Sequence, residues 1–226
     1  MLGSILVLAA HPDDDILGCG GSIAKYASEG FHIHVAFLAD GVNSRVKASS
    51  IYPELDVRRS AARSALATLG VQSISFDDFP DNKMDSVALI DIVQTIESMI
   101  VEHKPSIVFT HNVSDVNIDH RKVHDATVVA CRPQPGQVVK TILCYEVASS
   151  TEWHLPGGRM SFTPNWYVDI SEFLQLKLQA LEEYEIEMRA WPHPRSIKAV
   201  EYLAKWRGAT VGVDAAEAFM LGRKIS

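Results

Sequence analysis

The strongest constraint on the fold is a repeated alternation of short, continuous apolar runs with amphipathic stretches. "SILVLAA" (4–10) and "HIHVAFLAD" (32–40) read as buried strands, separated by a helical stretch from about Ser22 to Glu29. "LDVRRSAARSALATLG" sets Ala62, Leu66 and Leu69 on one helical face and stops at Gly70, after which "VQSISF" reads as a strand. "SVALIDIVQTIESMIVEHK" repeats Ile90, Val93, Ile96 and Ile100, and Pro105 divides it from the strand "SIVFT". Strands with no polar alternation are buried on both faces. The pattern therefore predicts an α/β, Rossmann-like three-layer sandwich with a mostly parallel sheet.

Beyond "KTILCYEVASSTEW" the alternation gives way to loops and an edge strand, "NWYVDI". A helix is then expected from about Ser171 to Arg189, with an apolar stripe of Leu174, Leu178, Leu181, Tyr184 and Met188; Glu182, Glu183, Glu185 and Glu187 are expected to be solvated. "WPHPRS" ends that helix and "SIKAVEYLAKWRG" starts another. No repeat or linker divides residues 1–226, which are read as one domain.

In such sheets ligands gather at the carboxyl ends of the strands. Two polar segments fall there. "HPDDD" supplies His11, Asp13, Asp14 and Asp15 after the first strand, and "HNVSDVNIDHRKVH" supplies His111, Asp115, Asp119, His120 and His124 after the fourth. Three consecutive acids repel one another unless a cation sits among them. Two imidazoles and one carboxylate with open positions suit Zn²⁺ in a hydrolase, and Fe²⁺ or another divalent ion uses the same donors. Of two neighbouring aspartates only one need bind the ion; the other is free to act as a base toward water.

The formal net charge of -7 argues against nucleic acid or an anionic membrane surface as partner and leaves small neutral or cationic molecules open. Cys19, Cys131 and Cys144 are too scattered for a disulfide framework, so they are expected to be small buried hydrophobes in a reducing, cytoplasmic setting. No stretch has the length of a membrane span, and the first residues lack the basic start of a secretory signal.

Together, "AAHPDDDILGCGGSIAKYASEG", "ADG", "VRRSAARSALATLG" and "DVNIDH" resemble the PIG-L family of metal-dependent deacetylases, also called LmbE-like or N-acetylglucosaminyl deacetylases. "YEVASSTEW" and "PHPRS" resemble a bacterial branch of it. The resemblance implies zinc held by His11, Asp14 and His120, with Asp13 as general base. It puts Arg58 on the substrate, lets Gly18, Gly20 and Gly21 turn the backbone into the first helix, and implies removal of an acetyl group from an N-acetylglucosamine-like amino sugar within a larger conjugate.

Two positions depart from the family pattern. Asp15 stands where a glutamate is usual, and Asn117 stands where many members carry a histidine that stabilises the oxyanion or protonates the leaving amine. An amide can donate to an oxyanion but supplies no proton. His193, between two prolines of "WPHPRS", is the expected replacement acid; His111 is expected in the pocket wall, and His124 is an alternative ligand.

Two other functions stay open at this stage. One is a metal-containing sugar-binding protein without turnover, motivated by Asp15 and Asn117. The other is a nucleotide-binding Rossmann oxidoreductase, motivated by "GCGG" and Asp40; against it, the third fingerprint glycine falls at Ile23. Specificity is expected to depend on the loops "NSRVKASSIYP" and "SSTEWHLPGGRM".

Overall fold

The computed structural model describes residues 3–39, 51–155 and 161–226. Asp40 and most of the two specificity loops lie outside the described residues.

Strands β1 (Ser4–Ala9), β2 (His32–Ala39), β3 (Ser73–Phe79), β4 (Ile107–His111), β5 (Thr141–Tyr145), β6 (Trp166–Asp169) and β7 (Ala216–Lys224) form one sheet in the order β3-β2-β1-β4-β5-β7-β6. Pairings from β3 to β5 are parallel, and β7 is antiparallel to both neighbours. Helices α1 (Asp14–Ser28), α2 (Ile51–Thr68), α3 (Leu89–His103), α4 (Ile118–Ala130), α5 (Leu174–Glu182) and α6 (Ile197–Ala209) cover it.

Each face of the sheet has its own core because successive strand residues point oppositely. Ile5, Val7 and Ala9 pack with Ile16, Leu66, Leu178 and Val200 from α1, α2, α5 and α6. Leu6, Leu8 and Ala10 pack with Ile96 and Val123 from α3 and α4. The chain thus leaves β1 toward one face and β4 toward the other. The crevice between these adjacent strand ends is the switch point where α/β sheets bind ligands.

Several expectations change. Helix α1 begins at Asp14 rather than Ser22, so the glycines lie inside it; it kinks at Cys19 (φ -147°, ψ 22°). They serve close packing: a Cβ on Gly18 would sit 2.3 Å from Tyr145 Cδ2, and one on Gly21 2.7 Å from Ile170 Cδ1. The backbone N–H groups of Gly21 and Ser22, just past the kink, donate to Glu217 at 2.9 and 2.7 Å. Lys177 Nζ neutralises that carboxylate at 2.7 Å.

Glu217 lies on β7, a strand the sequence pattern did not predict, because its interior glutamate and glycine interrupt any apolar run. The helix expected over 171–189 ends at Glu182, and turns carry the chain onward. Ile90 faces solvent at 54% exposure, and Ile92 and Met99 take its expected place in the α3 stripe. All three cysteines are free and buried. Among the described residues no helix is long and apolar enough to cross a membrane.

Candidate functional site

Loops after β1, β3 and β4 converge on His11. Its backbone N–H donates to Asp14 Oδ2 at 2.9 Å, and its Nδ1 lies 3.3 Å from the same oxygen. On the other side of the ring, Nε2 lies 3.0 Å from Asp119 Oδ2 and 3.1 Å from Asp81 Oδ1. His120 repeats the arrangement: Nε2 is 3.1 Å from Asp14 Oδ2, and Nδ1 is 3.1 Å from Asp115 Oδ2. One ligand atom each from His11, Asp14 and His120 fall within 4.8 Å of one another, so the three residues that the family resemblance singles out do come together, and all are buried. Asp14 Oδ1 and His120 Nε2 make no hydrogen bond among the described residues.

The outer carboxylates are themselves fixed. Asp119 accepts the backbone N–H of Asn82 (2.6 Å) and of Met84 (3.0 Å), so the segment after β3, which carries no sequence motif, helps to fix the site. Asp115 accepts from Thr151 Oγ1 (2.7 Å), from Ser150 Oγ and from the Asn117 backbone N–H (2.8 Å). Such carboxylates orient ligand histidines and select their tautomer. Ligand atoms of His11, Asp81 and Asp119 also lie within 4.8 Å of one another, but the two backbone donors and the His11 ring already occupy Asp119.

The crowding of acids is resolved unequally. Burial opposes charge on Asp14, yet His120, His11 and His111 around it hold its carboxyl well below the usual range. Asp15 moves the other way: burial, with Asp13 and Asp14 adding to it, pushes its carboxyl up to about 8. Burial also disfavours a charged His120, but Asp14 and Asp115 on either side raise it to about 9. Asp115 is opposed by burial too and is drawn down to about 2 by His120.

Asp13 sits between two arginines. Arg195 Nη1 donates to its Oδ2 at 2.6 Å, and Arg58 Nη2 lies 3.9 Å from its Oδ1. Glu187 joins them, 3.1 Å from Arg58 Nη1 and 3.7 Å from Arg195 Nη1. Glu187 is only 8% exposed, which corrects the expectation that it is solvated. Asp13 has a φ of 107°, in the left-handed region, a conformation that costs on the order of 1–3 kcal/mol for a non-glycine residue. The Pro12 carbonyl just before it accepts from Arg58 Nη2 at 3.1 Å. Arg58 and Glu187 also line a cavity of about 450 Å³ with Glu54, Val57 and Tyr184.

Other expected residues fall elsewhere. His111 is fully buried behind the cluster: its Nε2 accepts the Ala10 N–H at 2.8 Å, and its ring stacks on His120 at 3.9 Å. Asn117 is spent on local structure, capping α4 by accepting the Asp119 N–H (2.8 Å) and donating to Asn82 Oδ1 (3.2 Å). His124 Nδ1 bonds the His111 carbonyl at 2.9 Å, away from the ligand role.

His193 is half-buried, with Nδ1 accepting the Arg195 N–H at 3.1 Å and its ring edge-on to Trp153. Its loop does fold back onto the site, but the side chain it delivers to Asp13 is Arg195. Arg195 lies in the same "PHPRS" segment, two residues past His193.

The PIG-L family profile, described as GlcNAc-PI de-N-acetylase, matches residues 6–131. An Escherichia coli K12 protein named uncharacterized deacetylase YaiS is 32% identical over 187 residues, covering 80% of this chain and 90% of its own length. A 4-oxalmesaconate hydratase of Pseudomonas putida is 25% identical over 205 residues, covering 84% and 76% respectively. The solved structure of N,N'-diacetylchitobiose deacetylase from Pyrococcus horikoshii, complexed with its inhibitor MPG, matches with a TM-score of 0.79 at 19% identity, over 98% of this chain and 84% of that one. With its sheet order, its converging His/Asp loops and these matches together, the chain belongs to the PIG-L family.

Proposed function

We propose that this chain is a metal-dependent hydrolase that removes the N-acetyl group from an N-acetylglucosamine-like amino sugar within a larger conjugate. One observation carries this reading: a cluster of two histidines and one carboxylate stands beside a second carboxylate, Asp13, held next to it by arginines. The family's description as a GlcNAc-PI de-N-acetylase and the chitobiose deacetylase of the same fold support an amino-sugar substrate.

His11 Nδ1, Asp14 and His120 Nε2 are the atoms proposed to hold the ion, zinc being the best match to a set of two nitrogens and one oxygen. The donors fit: Asp14 Oδ1 and His120 Nε2 are buried without a hydrogen bond among the described residues, as suits atoms whose lone pairs serve a cation. A divalent ion in that position lowers the pKa of water and draws charge from an amide carbonyl.

The chain's own residues do the rest. Asp13 accepts the proton of the attacking water as a carbon–oxygen bond forms at the acetyl carbon. Arg58, beside Asp13 and on the cavity wall, orients the sugar. The proton taken up by Asp13 then passes to the amine as the carbon–nitrogen bond breaks, yielding acetate and a free amino sugar; His193, whose Nδ1 accepts the Arg195 N–H, has no contact with Asp13 among the described residues that would make it the donor. The 450 Å³ cavity takes the remainder of the conjugate.

The test combines metal analysis of the purified protein with acetate release from N-acetylglucosamine, diacetylchitobiose and N-acetylglucosaminyl-inositol. About one divalent ion per chain and metal-dependent acetate release are expected. Bound metal with no acetate release favours a sugar-binding protein instead. Turnover of 4-oxalmesaconate alone would make the chain a hydratase like its Pseudomonas relative, and tight NAD binding would revive the oxidoreductase reading.

A further inference from the structure

Among the described residues Arg195 makes the shortest side-chain contact that Asp13 has, 2.6 Å from Nη1 to Oδ2, across 182 residues of sequence. Its other arm is also tied: Nε donates to Ser149 Oγ at 2.7 Å. The loop that presents it is braced by its own hydrogen bonds. Arg195 N–H donates to His193 Nδ1 at 3.1 Å, and the backbone N–H of Ser196 donates to the His193 carbonyl at 2.9 Å. Ser196 then caps α6 by accepting the Ala199 N–H at 3.1 Å. The Arg195 side chain is 15% exposed, and its guanidinium is held by Asp13 and Ser149.

Its effect on Asp13 is atom-specific. With Oδ2 engaged by a charge-assisted bond, the carboxylate plane is set. Oδ1 is buried, has no hydrogen-bond partner among the described residues, and has Arg58 Nη2 only at ion-pair distance, 3.9 Å. We propose that Arg195 is a positioning residue: by fixing Asp13 Oδ2 it presents Oδ1, and only Oδ1, to the proton that Asp13 must take. Ser149 steers Arg195 in turn. This inference rests on the base role given to Asp13 above. It differs from a substrate-binding role because it predicts a loss in turnover rather than in affinity.

Removing such an orienting contact costs about 10²-fold when a reacting group drifts by an ångström. The experiment compares metal-loaded wild type with Arg195→Ala, Arg195→Lys and Ser149→Ala on the acetylated sugar that wild type turns over fastest. Arg195→Ala is expected to lose about 10²-fold in kcat with KM changed less than threefold and metal content unchanged. Added guanidinium should restore at least tenfold of that loss. Arg195→Lys and Ser149→Ala should fall between it and wild type, and they carry the test if Arg195→Ala fails to fold.

A kcat within threefold of wild type in Arg195→Ala, or a loss confined to KM, would overturn the proposal. A crystal structure of metal-loaded Arg195→Ala judges it independently of activity: Asp13 should rotate about χ1 or χ2, and an unmoved carboxylate contradicts the inference even if wild type deacetylates nothing.

Discussion

Nε2 of His11 lies 3.0 Å from Oδ2 of Asp119, a residue 108 positions further along the chain, while Nδ1 of the same ring faces Asp14. In the proposed ligand set Asp119 would hold a proton on Nε2 and leave Nδ1 to the ion. Asp119→Asn should weaken metal binding by about 10- to 100-fold, the usual effect of losing a carboxylate behind a ligand histidine. Competition with a chelator of known affinity measures it; an unchanged dissociation constant would remove Asp119 from the ligand support.

Asp13 is expected to act on the chemistry and not on the ion. Asp13→Asn should retain full metal occupancy and lose roughly 10²- to 10⁴-fold in kcat, the range for general-base catalysis. Paired metal analysis and steady-state kinetics check both halves. Loss of metal together with activity would instead make Asp13 a ligand.

Gly18 tests the packing that delivers the loop of α1 to the site. A methyl group there would meet the Tyr145 ring at 2.3 Å, and Tyr145 is fully buried with its hydroxyl bonded to the Leu8 carbonyl at 2.8 Å, so the ring has little room to yield. Gly18→Ala should cost about 1–3 kcal/mol, the usual penalty of overpacking. Urea denaturation reads it as a lower midpoint at unchanged slope.

His34 gives the protein a pH dependence far from the active site. Its ring is buried against β3, with Nε2 3.0 Å from Ser75 Oγ, and stacks on His103 at 3.8 Å between centroids. Burial, with His103 and His32 adding to it, pushes its pKa down to about 4, against about 6.5 in an unfolded chain. Between those values the unfolded chain takes up the proton first, so stability falls as pH drops from ~6.5 to ~4, by on the order of 1–3 kcal/mol after allowing for partial screening. His34→Gln should remove that part of the slope in denaturation curves taken across the window; an identical slope would contradict the assignment.

Parts of this architecture were readable from sequence because they depend on local pattern. Continuous apolar runs marked β1, β2 and β4, the polar segments past the ends of β1 and β4 marked two His/Asp clusters, and the family resemblance singled out His11, Asp14 and His120 among them. What escaped was set by contacts between distant segments. β7 owes its strand state to pairing with β5 and β6, and its Glu217 serves backbone groups of α1 almost two hundred residues away. Glu187 looks like a solvated helix residue until the helix ends at Glu182 and turns it toward Arg58. Arg195 and His193 are equally loop-bound in sequence, and only the fold decides which of them reaches Asp13. Asn117 shows a second use for one side chain: its position just before α4 makes its amide oxygen a helix cap.

The central claim is that His11, Asp14 and His120 grip one divalent ion. Anomalous diffraction collected at the zinc edge from zinc-replete crystals tests it most directly. The account predicts a single strong peak about 2.0–2.2 Å from His11 Nδ1, a carboxylate oxygen of Asp14 and His120 Nε2. A peak seated elsewhere, or replete crystals with no density among those three side chains, would contradict it.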